Sequence, residues 1–156
     1  MKMIKGYELL LILVPIFIFG AIIYFYGFSG RGIYEGEVYI RNQKFKVDVA
    51  DTPSERQKGL SGRESLSSGE GLLFTFQRSS VQRFWMKDML ISIDIIWING
   101  DRVIGITENL EPEPGVSVMR LKTYPSPGPV NYVLEVPAGT SERIGIVAGD
   151  AVSIRL

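Results

Sequence analysis

The chain has 156 residues, enough for one domain with an appendage, and its basic and acidic side chains balance at 17 each. It contains no cysteine and no histidine, which removes disulfides, thiol nucleophiles, zinc and iron–sulfur centres and every histidine-based triad. Carboxylate, lysine, tyrosine and hydroxyl chemistry remain; no metal or other cofactor is expected, and no Lys/Arg stripe argues for a nucleic-acid surface.

Residues 1–8 include Lys2 and Lys5, and residues 9–28, LLLILVPIFIFGAIIYFYGF, follow without a charge. A helix of about 20 residues spans the roughly 30 Å hydrocarbon core of a bilayer. The run exceeds the usual signal-peptide apolar region of about 7–15 residues, so an uncleaved single-pass membrane anchor is expected rather than a removed leader. Positive charge precedes it, whereas Glu35 and Glu37 lie beyond it. The positive-inside tendency therefore places residues 1–8 in the cytoplasm, residues 29–32 (SGRG) as a linker, and residues 33–156 as an extracytoplasmic domain.

Within that domain, Val38 and Ile40 mark a first strand. Phe45, Val47 and Val49 alternate with Lys44, Lys46 and Asp48 to mark a second, with the turn near Asn42 and Gln43. In DTPSERQKG, Thr52 is placed to cap a short helix, with Pro53 at its first position, Glu55 completing a capping box and Gly59 stopping it. Residues 63–71 read as loop. LLFTF, RFWMK and IDIIWI read as strands, and Asn99-Gly100 as a hairpin turn before RVIGIT. Proline-rich loops flank VSVMRLKTY, NYVLEV is a further strand, PAGTSERIGI a second short helix, and Gly149-Asp150 turns into a last strand, AVSIRL. Many short strands with two short helices predict a mainly β domain, a curled sheet or partly closed β-barrel.

VADTPSERQKGLSGR, GEGLLFTF, FWMKDMLISIDIIWI, VLEVPAGTSERIGI and GDAV occur in an order that resembles the domain of unknown function 192 (DUF192) family, over roughly residues 37–153. The resemblance implies a β-rich domain, commonly behind an export signal or anchor, with no established activity. Arg56, Lys87, Asp94 and Glu135 match the family's pattern. Asp88 stands where the family typically has Asn, Met89 where it has Thr, Ser92 where it has Pro, and Leu72 and Ser61 where it has Met.

The charged residues of the apolar strands pose the functional question. In LISIDIIWI both faces are largely apolar, so Asp94 is expected within or at the mouth of the core, where an unpaired carboxylate would cost several kcal/mol. Glu135, between Leu134 and Val136, raises the same issue. Arg56 and Lys87 are the cations available to both. The four either form internal ion pairs or converge in a pocket as acid, base and ligand grip. Trp85 is read as core or as the lining of a cleft. Asp51 is read as a brace for the helix start or a ligand contact, and Gly139, Thr140 and Ser141 as an ordinary cap or an anion-holding turn. Three functions stay open: a membrane-anchored module that binds an envelope ligand or protein partner in a cleft rimmed by the proline-rich loops; a small carboxylate- and lysine-dependent enzyme acting on envelope glycan or peptide; and a scaffold for a membrane partner.

Overall fold

The computed structural model describes residues 35–156. The expected anchor at 9–28, its linker and the N-terminal residues lie outside that range, and none of the described helices is long and apolar enough to cross a membrane. The elements in order are β1 (Gly36–Ile40), β2 (Gln43–Ala50), α1 (Pro53–Lys58), β3 (Glu70–Ser80), β4 (Arg83–Trp85), β5 (Ile93–Asn99), β6 (Arg102–Leu110), a 3-10 turn (Val118–Arg120), β7 (Thr123–Pro125), β8 (Val130–Pro137), α2 (Thr140–Ile144) and β9 (Val152–Arg155).

Seven strands form one sheet in the order β6-β5-β8-β3-β2-β1-β9, and β4 and β7 form a separate two-stranded ribbon. Every pairing is antiparallel except β2 with β3, which run parallel because the chain crosses over through α1 between them. The expected capping box is present: Glu55 N–H donates to Thr52 Oγ1 at 3.2 Å, and Thr52 N–H donates to Glu55 Oε2 at 3.0 Å. The sheet curls until its two edges meet at one end. There Val103 N–H donates to Asp150 O at 3.0 Å, and Val152 N–H to Asp101 O at 2.8 Å. The domain is thus mainly β with two short helices, a curled half-barrel.

Two core clusters occupy opposite faces of the sheet. The first draws Val38, Phe45 and Val47 from one end of the sheet together with Ile96, Ile98 and Val103 from the other. Strands so far apart in the order share a cluster only because the sheet curls around it. The second gathers Leu72, Phe74, Ile95, Trp97 and Val133 from central strands, and is covered by Leu60, Met86 and Met89 from connecting segments. Chain that belongs to no main-sheet strand therefore roofs the second face.

Two elements differ from expectation. RFWMK is strand only at Arg83–Trp85 and leaves the main sheet to pair with β7, Phe84 opposite Tyr124. IDIIWI is strand as expected, from Ile93 to Asn99, and Leu90 ahead of it is exposed. The hairpin turn falls at Gly100-Asp101, one residue later than the Asn-Gly signal, because Asn99 still pairs with Arg102. Gly100 takes φ +59° at the first central position, where a type II′ turn favours glycine, and its N–H donates to Asn131 Oδ1 at 2.8 Å.

Gly71 fixes how closely β3 approaches β8: a Cβ built there would lie 2.7 Å from the backbone oxygen of Glu135. Gly71→Ala is expected to push the two strands apart at the sheet centre and to cost about 1–3 kcal/mol in urea denaturation, the usual range for overpacking. A variant as stable as wild type would show that the strands separate freely there.

Candidate functional site

The register between β5 and β8 sets the geometry. Asp94 lies opposite Val136, and Ile95 lies opposite Glu135. Directly opposed residues point to the same face, and neighbours along a strand point to opposite faces. Asp94 therefore joins the face of Val136 and the first cluster, whereas Glu135 joins Ile95 and its other partner, Leu72, on the second. The two buried carboxyl groups do not share a site.

Asp94 is fully buried and its partners are backbone amides, not Arg56 or Lys87. Asn109 N–H and Gly139 N–H donate to Oδ1 at 2.9 and 3.2 Å, and Ser141 N–H donates to Oδ2 at 2.8 Å. The turn at Gly139–Ser141 does hold an anion, and the anion is this chain's own carboxylate. Two peculiar backbone positions make the arrangement possible, since Asn109 has φ +53° and Gly139 φ +74°. The carboxylate ties the end of β6 and the start of α2 to β5.

Glu135 is the contrasting case. It is 4 % exposed, and its Oε2 has no hydrogen-bond partner. Burial pushes its carboxyl up from the usual 4.5 to about 8. It lines a cavity of about 340 Å³ between α1, the chain that follows it, β3 and residues 82–89. Phe74, Phe76, Phe84 and Trp85 supply aromatic lining, and the other ionisable lining residues, Arg56, Lys58, Arg83 and Lys87, are all cations. Phe84 stands edge-on to Phe74 and to Trp97, at centroid distances of 4.8 and 5.5 Å, which fixes the wall next to Trp85.

The cations are held to different degrees. Arg56 Nη1 donates to Asp51 O and, at 3.1 Å, to Thr75 O, and its guanidinium lies 5.4 Å from the Phe76 ring centroid. Lys87 pairs with Asp88. Asp88 sits at φ +53°, a conformation that Asn and Asp accept more readily than other non-glycine residues. Its backbone oxygen accepts from Gly62 N–H at 2.8 Å, and Lys87 O accepts from Ser61 Oγ at 2.8 Å. The backbone itself thus accounts for an Asn or Asp at position 88.

Of the residues singled out from the sequence, Arg56, Lys87, Glu135 and Trp85 come together around the cavity, whereas Asp94 and Asp51 do not line it. Asp51 is exposed and contributes its backbone to the α1 start, its N–H donating to Glu55 Oε2 at 3.2 Å. The proline-rich loops do not rim the cavity either: Pro127 folds onto Gly105, where a Cβ would lie 2.7 Å from its Cγ, and Ser126 Oγ donates to Gly128 O at 2.6 Å. Arg83 and Lys58 were not foreseen. The signal for Arg83 was present, because a period of two puts Arg83, Trp85 and Lys87 on one side of RFWMK.

Comparison with known proteins gives a family but no activity. The model of the DUF192 family, described as an uncharacterized ACR, matches residues 37–154. A crystal structure from Sinorhizobium meliloti 1021, of a protein described as a candidate transcription regulator, is similar at TM-score 0.70 and 30 % identity, covering 80 % of this chain and 97 % of that one. A crystal structure of a protein of unknown function from Novosphingobium aromaticivorans DSM 12444 is similar at TM-score 0.68 and 32 % identity, covering 75 % and 83 %. No curated protein matches.

Two outcomes follow from the two carboxyl groups. Asp94→Asn replaces an acceptor by a donor facing a backbone N–H and is expected to cost about 3 kcal/mol in urea denaturation; a cost near zero would show that the three bonds contribute nothing. For Glu135, between about pH 4.5 and 8 the folded chain keeps a proton that the unfolded chain has released. Stability therefore falls as pH rises through that window, by at most about 1.4 kcal/mol per pH unit. Glu135→Gln removes this dependence, so the wild type should lose stability relative to the variant from pH 5 to pH 8. Parallel curves would show that Glu135 ionises as it would in solvent.

Proposed function

The chain belongs to the DUF192 family, and on that premise we propose that it is a small-ligand-binding module whose site is the cavity over Glu135. The observation that carries the reading is the unpartnered Oε2 of Glu135, 4 % exposed and lining a cavity with aromatic walls and cationic side chains. Buried polar atoms without partners are uncommon and costly, and a convergence of such a group with apolar lining is a usual feature of ligand pockets. The uncharged run at residues 9–28 supports the rest of the proposal, that the module is held on the outer side of a membrane and takes its ligand, or a protein segment, from the cell envelope.

One observation favours a second reading, that of a small enzyme. A carboxyl raised to about 8 still holds its proton at neutral pH, as a general acid must. No other carboxylate lines the cavity, however, so the paired acids of most glycosidases are not assembled there. Binding therefore ranks ahead of catalysis.

Trp85, 41 % exposed beside the cavity, reports on occupancy, whereas Trp97 is 1 % exposed in the core. Titration of the full chain with monosaccharides, dipeptides, nucleotides and organic acids should include compounds that change Trp85 emission. At about 100 times its dissociation constant such a compound raises stability by about 2.7 kcal/mol and the thermal midpoint by several degrees. Gln57→Phe, which places a bulky ring at the cavity lining without adding a second reporter there, should abolish both responses. Responses that survive this variant would place binding elsewhere.

A further inference from the structure

The lining of the cavity also constrains what enters it, and this step rests on the reading of the cavity as a ligand site. We infer that the ligand is a small anionic ring compound, a carboxylate or phosphate ester, whose charge is met by Arg83, Lys58 and Lys87 while its ring contacts Phe84 and Trp85 and a polar atom on it meets Glu135.

Three independent observations lead there. The first is sign: the four ionisable side chains that accompany Glu135 around the cavity are all cations. Glu135 itself is neutral at pH 7, because burial holds its proton on, so it does not offset them. The second is availability. Arg83 and Lys58 have no side-chain hydrogen bond or ion pair among the described residues, and the Asp88 partner of Lys87 is exposed, with 66 % of its side-chain surface in solvent. These cations can therefore turn to an incoming anion without breaking a buried pair. The third is size and shape: a cavity of about 340 Å³ stands at the small end of the range of about 300–1,000 Å³ for ligand pockets. A single ring with one or two substituents fits within it, and Phe84 is held edge-on between Phe74 and Trp97 at its wall.

The neutral Glu135 carboxyl sets the polarity at the buried end. As an acid it donates one hydrogen bond, so an ether, carbonyl or hydroxyl oxygen on the ligand satisfies it. The charged groups that face the cavity from the surrounding elements are Arg56 and Lys58 of α1, Arg83 of β4, and Lys87 with its neighbour Asp88. Burial raises the Glu135 carboxyl to about 8, so its charge changes just above neutral pH. Deprotonation of Glu135 would set a carboxylate against an anionic ligand, so affinity falls as pH rises.

The test uses the full chain and four probes that differ in charge or ring: phenyl phosphate, benzyl alcohol, benzylamine and inorganic phosphate, each titrated against Trp85 emission and by calorimetry at pH 6.5 and pH 9. Phenyl phosphate is expected to bind at least about tenfold more tightly than the other three, in keeping with the strength of charge-assisted hydrogen bonds. Its affinity should fall from pH 6.5 to pH 9 in wild type but not in Glu135→Gln. Arg83→Gln, a change at an exposed side chain, should weaken phenyl phosphate and leave benzyl alcohol unaffected. If benzylamine or benzyl alcohol binds as tightly as phenyl phosphate, the assignment of an anion fails while the cavity remains a ligand site; equal binding of inorganic phosphate removes the ring. If neither these probes nor the wider set of compounds perturbs Trp85, the reading of the cavity falls as well.

Discussion

The pairing of Ile95 with Glu135 is the constraint from which the rest of this domain can be read. It sets two carboxyl groups one rank apart on neighbouring strands and sends them to opposite faces of one sheet. On the face enclosed by the curl, backbone from β6 and α2 is close enough to surround Asp94 with donors. On the other face the cover is α1, a loop and a two-stranded ribbon, whose side chains leave a cavity over Glu135. A slip of β8 by one residue in this register would turn Glu135 onto the face of Asp94 and crowd both carboxyl groups into one environment.

Features governed by near neighbours in sequence were legible before the fold was known. The Thr52–Glu55 capping box depends on residues three apart, and the strands at Phe45–Val47 and Ile93–Ile98 depend on alternation or continuous apolar character. Burial of Asp94 and Glu135 was legible for the same reason. Their partners were not, because donors from Asn109, Gly139 and Ser141 are 15 to 47 residues away and are backbone groups that no side-chain inventory reveals. Charge complementarity favoured ion pairs with Arg56 and Lys87, but three preplaced N–H groups serve Asp94 without burying a second charge. The exposure of Trp85 was equally hidden, since nothing local says that RFWMK leaves the main sheet for β7.

The two unpartnered oxygens near these carboxyl groups differ in kind. Ser141 Oγ is buried beside a satisfied carboxylate and does not line the cavity, so it reads as a small residual cost of forming that turn. Glu135 Oε2 is buried on a strand paired on both sides, and no donor reaches it. Keeping a carboxyl there sacrifices on the order of 1–3 kcal/mol. That sacrifice sits in the lining of a cavity beside the second core cluster, and this coincidence separates Glu135 from an ordinary packing imperfection.

The meeting of the sheet's edges has a consequence for biosynthesis. β1, which opens the domain, is flanked by β2 and by β9, so Glu37 waits for Arg155 across nearly the whole domain sequence. Until β9 emerges, β1 presents a bare edge of backbone donors and acceptors, and the first core cluster lacks Val152. Such long-range closure makes folding slow relative to helical domains of similar length. The domain therefore reaches its final form only after synthesis of its last strand.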